Sequence, residues 1–214
     1  MLDRNGTAAI NIECKRVQNS NWIFLVPGES LNNRRHAKTF ITHIHDGNKT
    51  KTFDWKDVAV DPSCPESEFC VVPGQDGKSK PMLERVSADV VEGTEAFAKE
   101  DLSILLESKY DFRMYYNVIV TTAKLKTCQF NTSEISISEG MLNEANFKDV
   151  PYVRFRKQFT TYRKINSDDF RRGECFRAKE NTVFIVNSQH VISFLGEFEP
   201  DNQSLERAIR DGSV

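Results

Sequence analysis

The segment from Ala8 to Val17 alternates, with Ile10, Ile12 and Cys14 on one side and Asn11, Glu13 and Lys15 on the other. Successive side chains of an extended chain point to opposite faces, so a period of two fits a strand and not a helix. A strand with one apolar face needs neighbours and a layer to cover it. The preceding Asp3-Arg4-Asn5-Gly6 reads as a turn, because Asn-Gly readily takes positive φ in tight hairpins. That turn would bring Asp3 beside Glu13 across a hairpin.

Other elements follow from the same patterning. Trp22 to Val26 is a short apolar strand that stops at Pro27-Gly28, and Lys38 to His45 is another, ending at Asp46-Gly47-Asn48. Val60 to Lys80 contains Pro62, Pro65, Pro73, Gly74 and Gly77. It reads as a long irregular connection and as the place for a subdomain break. A long helix is expected from about Pro81 to Ser108, with Ser79 as cap, Pro81 in the first turn and Gly93 as a bend. Leu83, Val86, Val90, Phe97, Ile104 and Leu105 recur there near helical spacing. Asn117 to Thr122 and Lys126 to Phe130 read as two strands joined through Ala123-Lys124, as a hairpin or a turn. Tyr152 to Phe159 alternates again, and Val183 to Val186 is a buried strand. Ser188 is placed to cap a last amphipathic helix bearing Val191, Leu195 and Phe198. The polar tail after Pro200 reads as frayed or as a short surface helix.

This order of elements predicts one α/β domain over the 214 residues, with a mixed central sheet flanked by helices. A hydrophobic fraction of 39% with 15 Phe can supply its core. The net charge of −2 means that a nucleic-acid partner would need a local basic patch. No apolar run approaches the ~20 residues that span a bilayer. The first six residues have neither the basic nor the apolar region of a signal peptide. The five cysteines are odd in number and form no C-x-x-C pair, which points to a reducing cytoplasm. Gly28, Gly74 and Gly77 do not have phosphate-loop spacing, and Ser63 and Ser67 form no nucleophile elbow.

The chemistry concentrates at Glu13-Cys14-Lys15. Two-residue spacing on a strand puts Glu13 and Lys15 on one face, roughly 7 Å apart. A carboxylate there can hold a hard divalent cation such as Mg²⁺, and the amine beside it can steady charge on a phosphate or position a water. Asp3 would supply a second carboxylate, and the backbone carbonyl of Cys14 a further ligand. Three other stretches share the spacing: Asp54-Trp55-Lys56, Asp76-Gly77-Lys78 and Glu107-Ser108-Lys109. They are expected outside any clear strand, in a loop and at a helix end.

Ile10-Asn11-Ile12-Glu13-Cys14-Lys15-Arg16, with Asp3 upstream, resembles the PD-(D/E)xK phosphodiesterase superfamily, the restriction-endonuclease-like fold. The motif occupies about the first 20 residues. The resemblance implies Asp3 and Glu13 as metal ligands, Lys15 as the catalytic lysine and Mg²⁺, with Mn²⁺ as a substitute, as cofactor. It implies a nuclease acting on DNA or RNA, with DNA preferred, and a possible homodimer. A catalytically inactive nucleic-acid-binding or protein-interaction module of the same fold is the alternative. An unrelated α/β interaction protein, in which the Glu-x-Lys is incidental, is the third.

Two further clusters bear on partners. Tyr152, Arg154 and Arg156 share one face of a strand and Lys157 follows, a pattern that suits a nucleic-acid backbone or an exposed base. Arg34-Arg35 and Arg171-Arg172 are additional basic pairs. His43-Ile44-His45-Asp46 puts two imidazoles on one strand face as a conceivable transition-metal site, with a polar strand end as the plain alternative.

Overall fold

The alternating N-terminal segment becomes strand β1, Gly6–Lys15, and it pairs in parallel with β7, Phe112–Thr121. The computed structural model describes residues 6–18, 20–27, 34–45, 50–74, 81–101, 112–136, 138–139, 141–142, 144–159 and 180–210. Between β1 and β7 come β2 (Asn21–Pro27), β3 (Arg34–His45), β4 (Thr50–Cys64), β5 (Glu66–Ser67), β6 (Phe69–Val71) and helix α1 (Met82–Glu100). After β7 come β8 (Lys124–Phe130), β9 (Ile135–Ser136), β10 (Met141–Leu142), β11 (Asn146–Asp149), β12 (Tyr152–Lys157) and β13 (Asn181–Asn187). Helix α2 (Val191–Glu197), β14 (Glu199–Pro200) and helix α3 (Asn202–Arg210) complete the described chain. The protein is mixed α/β.

The main sheet has eight strands, ordered β14-β4-β3-β7-β13-β12-β5 with β1 also on β7. Since β1 lies along all of β7, the partners β3 (at 112–115) and β13 (at 117–121) must share the other edge of β7 end to end. β5 follows β4 in the chain and pairs with β12, and Arg154 N donates to Pro65 O at 2.8 Å. The sheet therefore curls back on itself. One face packs against α1 and β2, burying Trp22, Phe24, Leu83, Val90, Val91, Tyr115, Ile119 and Phe155. The other packs against α2 and α3 through Phe184, Phe194, Leu205 and Ala208. A smaller sheet, β11-β8-β2-β6, joins the first layer.

Several expectations change. Residues 60–71 are not an irregular connection, because β4 continues to Cys64 and β5 and β6 follow, while residues 75–80 lie outside the described residues. The prolines there misled because Pro62 sits where the β3–β4 register shifts, between Arg34↔Cys64 and His36↔Ala59. At such an irregularity no ladder N–H is required. β7 and β8 turn at Ala123 but make no hairpin, since β8 pairs with β2 and β11 in the other sheet. Asn187, not Ser188, caps the turn before α2, its side chain accepting from Gln189 N at 2.9 Å. Of the two readings of the tail the short helix holds, over Asn202–Arg210, but it is packed and not a surface helix, held by Asp201 Oδ1 accepting from Ser204 N and by buried Leu205 and Ala208. Helix α1 ends at Glu100 and is unbroken at Gly93, while Ser79 and residues 102–111 lie outside the described residues.

Gly6 is not a turn residue. It stands in the ladder opposite Phe112, and a Cβ there would lie 1.9 Å from the Phe112 ring. Close approach explains this glycine.

Candidate functional site

β1 is held against α1 by a chain of amide and hydroxyl groups. Asn11 Nδ2 donates to Val90 O at 3.2 Å and to Thr94 Oγ1 at 2.9 Å. Thr94 Oγ1 donates to Asn117 Oδ1 at 2.7 Å, and Asn117 Nδ2 to Thr182 O at 3.0 Å. β1, α1, β7 and β13 are thus tied by one network, buried at Thr94 and Asn117. Leaving such groups unpaired would be costly.

This network fixes which face of β1 meets the helix. Ile10 packs on the opposite core, while Asn11 and, two positions apart, Glu13 and Lys15 share the α1 side. Lys15 lines a cleft of about 460 Å³ with Met82, Arg85, Val86, Ala88 and Asp89 of α1. Asn11 meets α1 at Val90 and Thr94 and Lys15 meets it from Met82 to Asp89, so strand and helix run in opposite directions. Glu13, between them, is exposed, and Lys15 is half-buried. Glu13, Lys15, Arg85 and Asp89 make no ion pair or hydrogen bond through their side chains among the described residues. Cys14 is an exposed free thiol on the other face, its backbone in register with Val120. Asp3 lies outside the described residues.

The Asp54-Trp55-Lys56 stretch corrects an expectation, because it lies within β4 and so has strand context too. There the carboxylate and amine neutralise each other, Lys56 Nζ standing 2.8 Å from Asp54 Oδ2. What separates Glu13 and Lys15 from it is that neither has such a partner among the described residues. Asp76-Gly77-Lys78 and Glu107-Ser108-Lys109 lie outside the described residues.

The basic strand β12 is differently disposed. Tyr152 and Arg154 do share a face, but it is an inner one. Arg154 is fully buried, donating through Nη2 to Val60 O at 2.5 Å and to Pro62 O at 2.9 Å, with its guanidinium 5.2 Å from the Phe184 ring centroid. Burial holds its pKa below the usual arginine value, against the opposing pull of Cys64, Glu66 and Asp61. Arg154 is therefore corrected from a surface contact to a core donor that binds the irregular end of β4. Arg156 bonds Asp57 and Glu180, at 2.9 and 2.8 Å. Burial alone would raise the Asp57 carboxyl, but Lys38 and Arg156 together hold it below its ordinary value. Lys157 bonds Glu84 at 2.6 Å and lies 4.9 Å from the Phe69 ring centroid. Tyr152 OH donates to Glu197 at 3.1 Å, and burial followed by that carboxylate pushes its phenol up to about 12.

His43 is buried, while the His45 side chain, Asp46, Arg34's side chain and Arg171-Arg172 lie outside the described residues. Among the described residues no three His, Cys, Asp or Glu side chains gather as a metal site. Mg²⁺ is commonly held through one or two carboxylates plus waters and substrate phosphates. Asp89 is the carboxylate that lines this cleft, and Glu13 stands on the same face of β1 as Lys15 but outside the lining. Arg85 and Asp89 were not legible as site residues. They stand four apart on α1 beside Met82 and Val86, and only docking on β1 brings them into a cleft with Lys15.

No protein-family model, curated protein or solved structure matches this chain. Among the described residues no helix is long and apolar enough to cross a membrane.

Proposed function

We propose that this protein is a metal-dependent nuclease whose site is the cleft between β1 and α1. The observation that carries the reading is that Lys15 lines a cleft with Arg85 and Asp89, none of them engaged elsewhere among the described residues. This agrees with the resemblance of Glu13-Cys14-Lys15 to the PD-(D/E)xK motif. Glu13 and Asp89 are the carboxylates suited to Mg²⁺, with Mn²⁺ as substitute, and Asp3 remains a proposed ligand. Bound there, the cation would polarise a phosphodiester for attack by water. Lys15, half-buried on β1, would place its ammonium against the developing phosphate charge, where a fixed donor is most effective. DNA is the proposed substrate, in the cytoplasm, where free thiols such as Cys64, Cys70 and Cys128 persist.

The test is incubation of plasmid and of single-stranded DNA with Mg²⁺ or Mn²⁺. Cleavage by the parent that falls at least ~100-fold in Lys15→Ala and Glu13→Gln supports the reading. Equal cleavage by the variants refutes it. A non-catalytic binding module of the same architecture is the second reading, favoured by the lack of a gathered metal-ligand group among the described residues.

A further inference from the structure

We infer that Arg85 and Lys15 together grip one phosphate of an unpaired strand, so that the ligand is a single-stranded segment or end and not an extended duplex. The inference rests on the cleft reading above and names the ligand class of that same site.

Size is the first ground. The cleft holds about 460 Å³, within the ~300–1,000 Å³ of pockets for small ligands. A duplex-binding face instead spreads ~6–10 phosphate contacts over many cations. The charge inventory is the second ground. β12 is the strand whose composition suggested a backbone-binding face, yet Arg154 is buried and Arg156 and Lys157 are ion-paired. Lys38, Lys126 and Arg35 are ion-paired too. Arg16, Lys99, Lys124, Lys148 and Arg207 also lack an ion pair among the described residues, but Lys15 and Arg85 are the two such cations that line this cleft.

Their chemistry is complementary. A guanidinium offers a planar pair of donors that can take two phosphate oxygens at once, while an ammonium acts as a point charge. Arg85 is exposed on α1 and is not paired with Asp89 one turn away, so its fork can turn to a ligand. Met82, Val86 and Ala88 give the same cleft an apolar wall suited to a sugar or an unstacked base. Asp89 adds a negative charge to the cleft, which opposes a phosphate until a cation offsets it.

Fluorescence anisotropy with a labelled ten-nucleotide thymidine strand, and with a 20-base-pair duplex, tests this on the full chain. Binding is read in EDTA and again in Ca²⁺, as a function of salt. One phosphate neutralised on a single strand gives a slope of log K against log salt of about −0.7. Arg85→Ala is expected to weaken single-strand binding roughly tenfold and to remove about half of that slope. Arg85→Lys should recover part of the affinity, since it keeps the charge and loses the fork. Asp89→Asn should tighten binding in EDTA. Circular dichroism establishes that each variant is folded. A duplex bound more tightly than the single strand, a slope steeper than about −4, no binding of either probe, or unchanged affinity in Arg85→Ala overturns the inference. The two proposals fail separately. Lys15-dependent cleavage with no role for Arg85 sinks only the grip, whereas Arg85-dependent binding without any cleavage sinks only the nuclease.

Discussion

Two basic regions of this molecule look alike in sequence and differ in kind. On β12, Arg154, Arg156 and Lys157 are bound by backbone carbonyls, Asp57, Glu180 and Glu84. At the end of β1, Lys15 opens with Arg85 on a cleft where neither is paired among the described residues. A cation surrounded by its own acceptors contributes to the fold. A cation held near the surface without one is available to a ligand. The comparison shifts functional weight from the strand richer in arginine to the strand with one lysine.

The sharpest way to break this comparison is at Arg154. Arg154→Ala removes the donor from the Val60 and Pro62 carbonyls and leaves a void beside Phe184. The expected loss is about 3–4 kcal/mol, read by urea denaturation. A change below about 0.5 kcal/mol, typical of a surface site, would return Arg154 to the list of exposed contacts.

Alkaline pH should act on the same structural region. Cys64, beside Arg154, is pushed up from 9.0 to about 12 by burial, and so is Cys70. Tyr152 is raised from 10.0 to about 12 by burial and then Glu197. The unfolded groups lose their protons first, so the stabilisation is complete below pH 9 and falls as pH rises towards 12. Cys64 alone gives a slope of order 1 kcal/mol per pH unit in that window. Thermal melts between pH 8 and 11 measure it, and a flat profile above pH 9 would contradict the burial of these groups.

Two smaller effects sharpen how β1 is positioned. Gly6→Ala forces a Cβ into the Phe112 ring, and the overpacking should cost about 1–3 kcal/mol. Asn11→Ala leaves Thr94 without its donor and frees β1 from α1. It should cost about 1–2 kcal/mol and, unlike Gly6→Ala, lower cleavage more than the stability loss explains, because the cleft is built between those two elements. Comparing cleavage rate with melting temperature in both variants distinguishes them.

The local patterns were legible where one face of a strand was apolar. Ile10 and Asn11 do face opposite layers, and the stripe through Leu83 and Val90 does bury α1. Partners were not legible. The Asn5-Gly6 pair looked like a hairpin turn, whereas β1 pairs with β7, more than a hundred residues later. Pro62 and Pro65 looked like loop residues because a lone sequence does not show that the Arg154 side chain donates to the Pro62 carbonyl and the Arg154 backbone N–H to the Pro65 carbonyl. Glu13 and Lys15 were singled out by spacing. Arg85 and Asp89 came only with the packing of α1 on β1, and the same packing logic hid Arg154 inside the sheet.

The most direct test sets Lys15→Ala beside Arg156→Ala, measuring Mg²⁺-dependent cleavage of a labelled single strand and the melting temperature of each. The account predicts that Lys15→Ala melts like the parent, within about 0.5 kcal/mol, and cleaves at least ~100-fold more slowly. Arg156→Ala, which loses its bonds to Asp57 and Glu180, should melt earlier and cleave normally per folded molecule. Normal cleavage by Lys15→Ala, with activity lost instead in a stably folded Arg156→Ala, would place the chemistry on β12 and contradict the account.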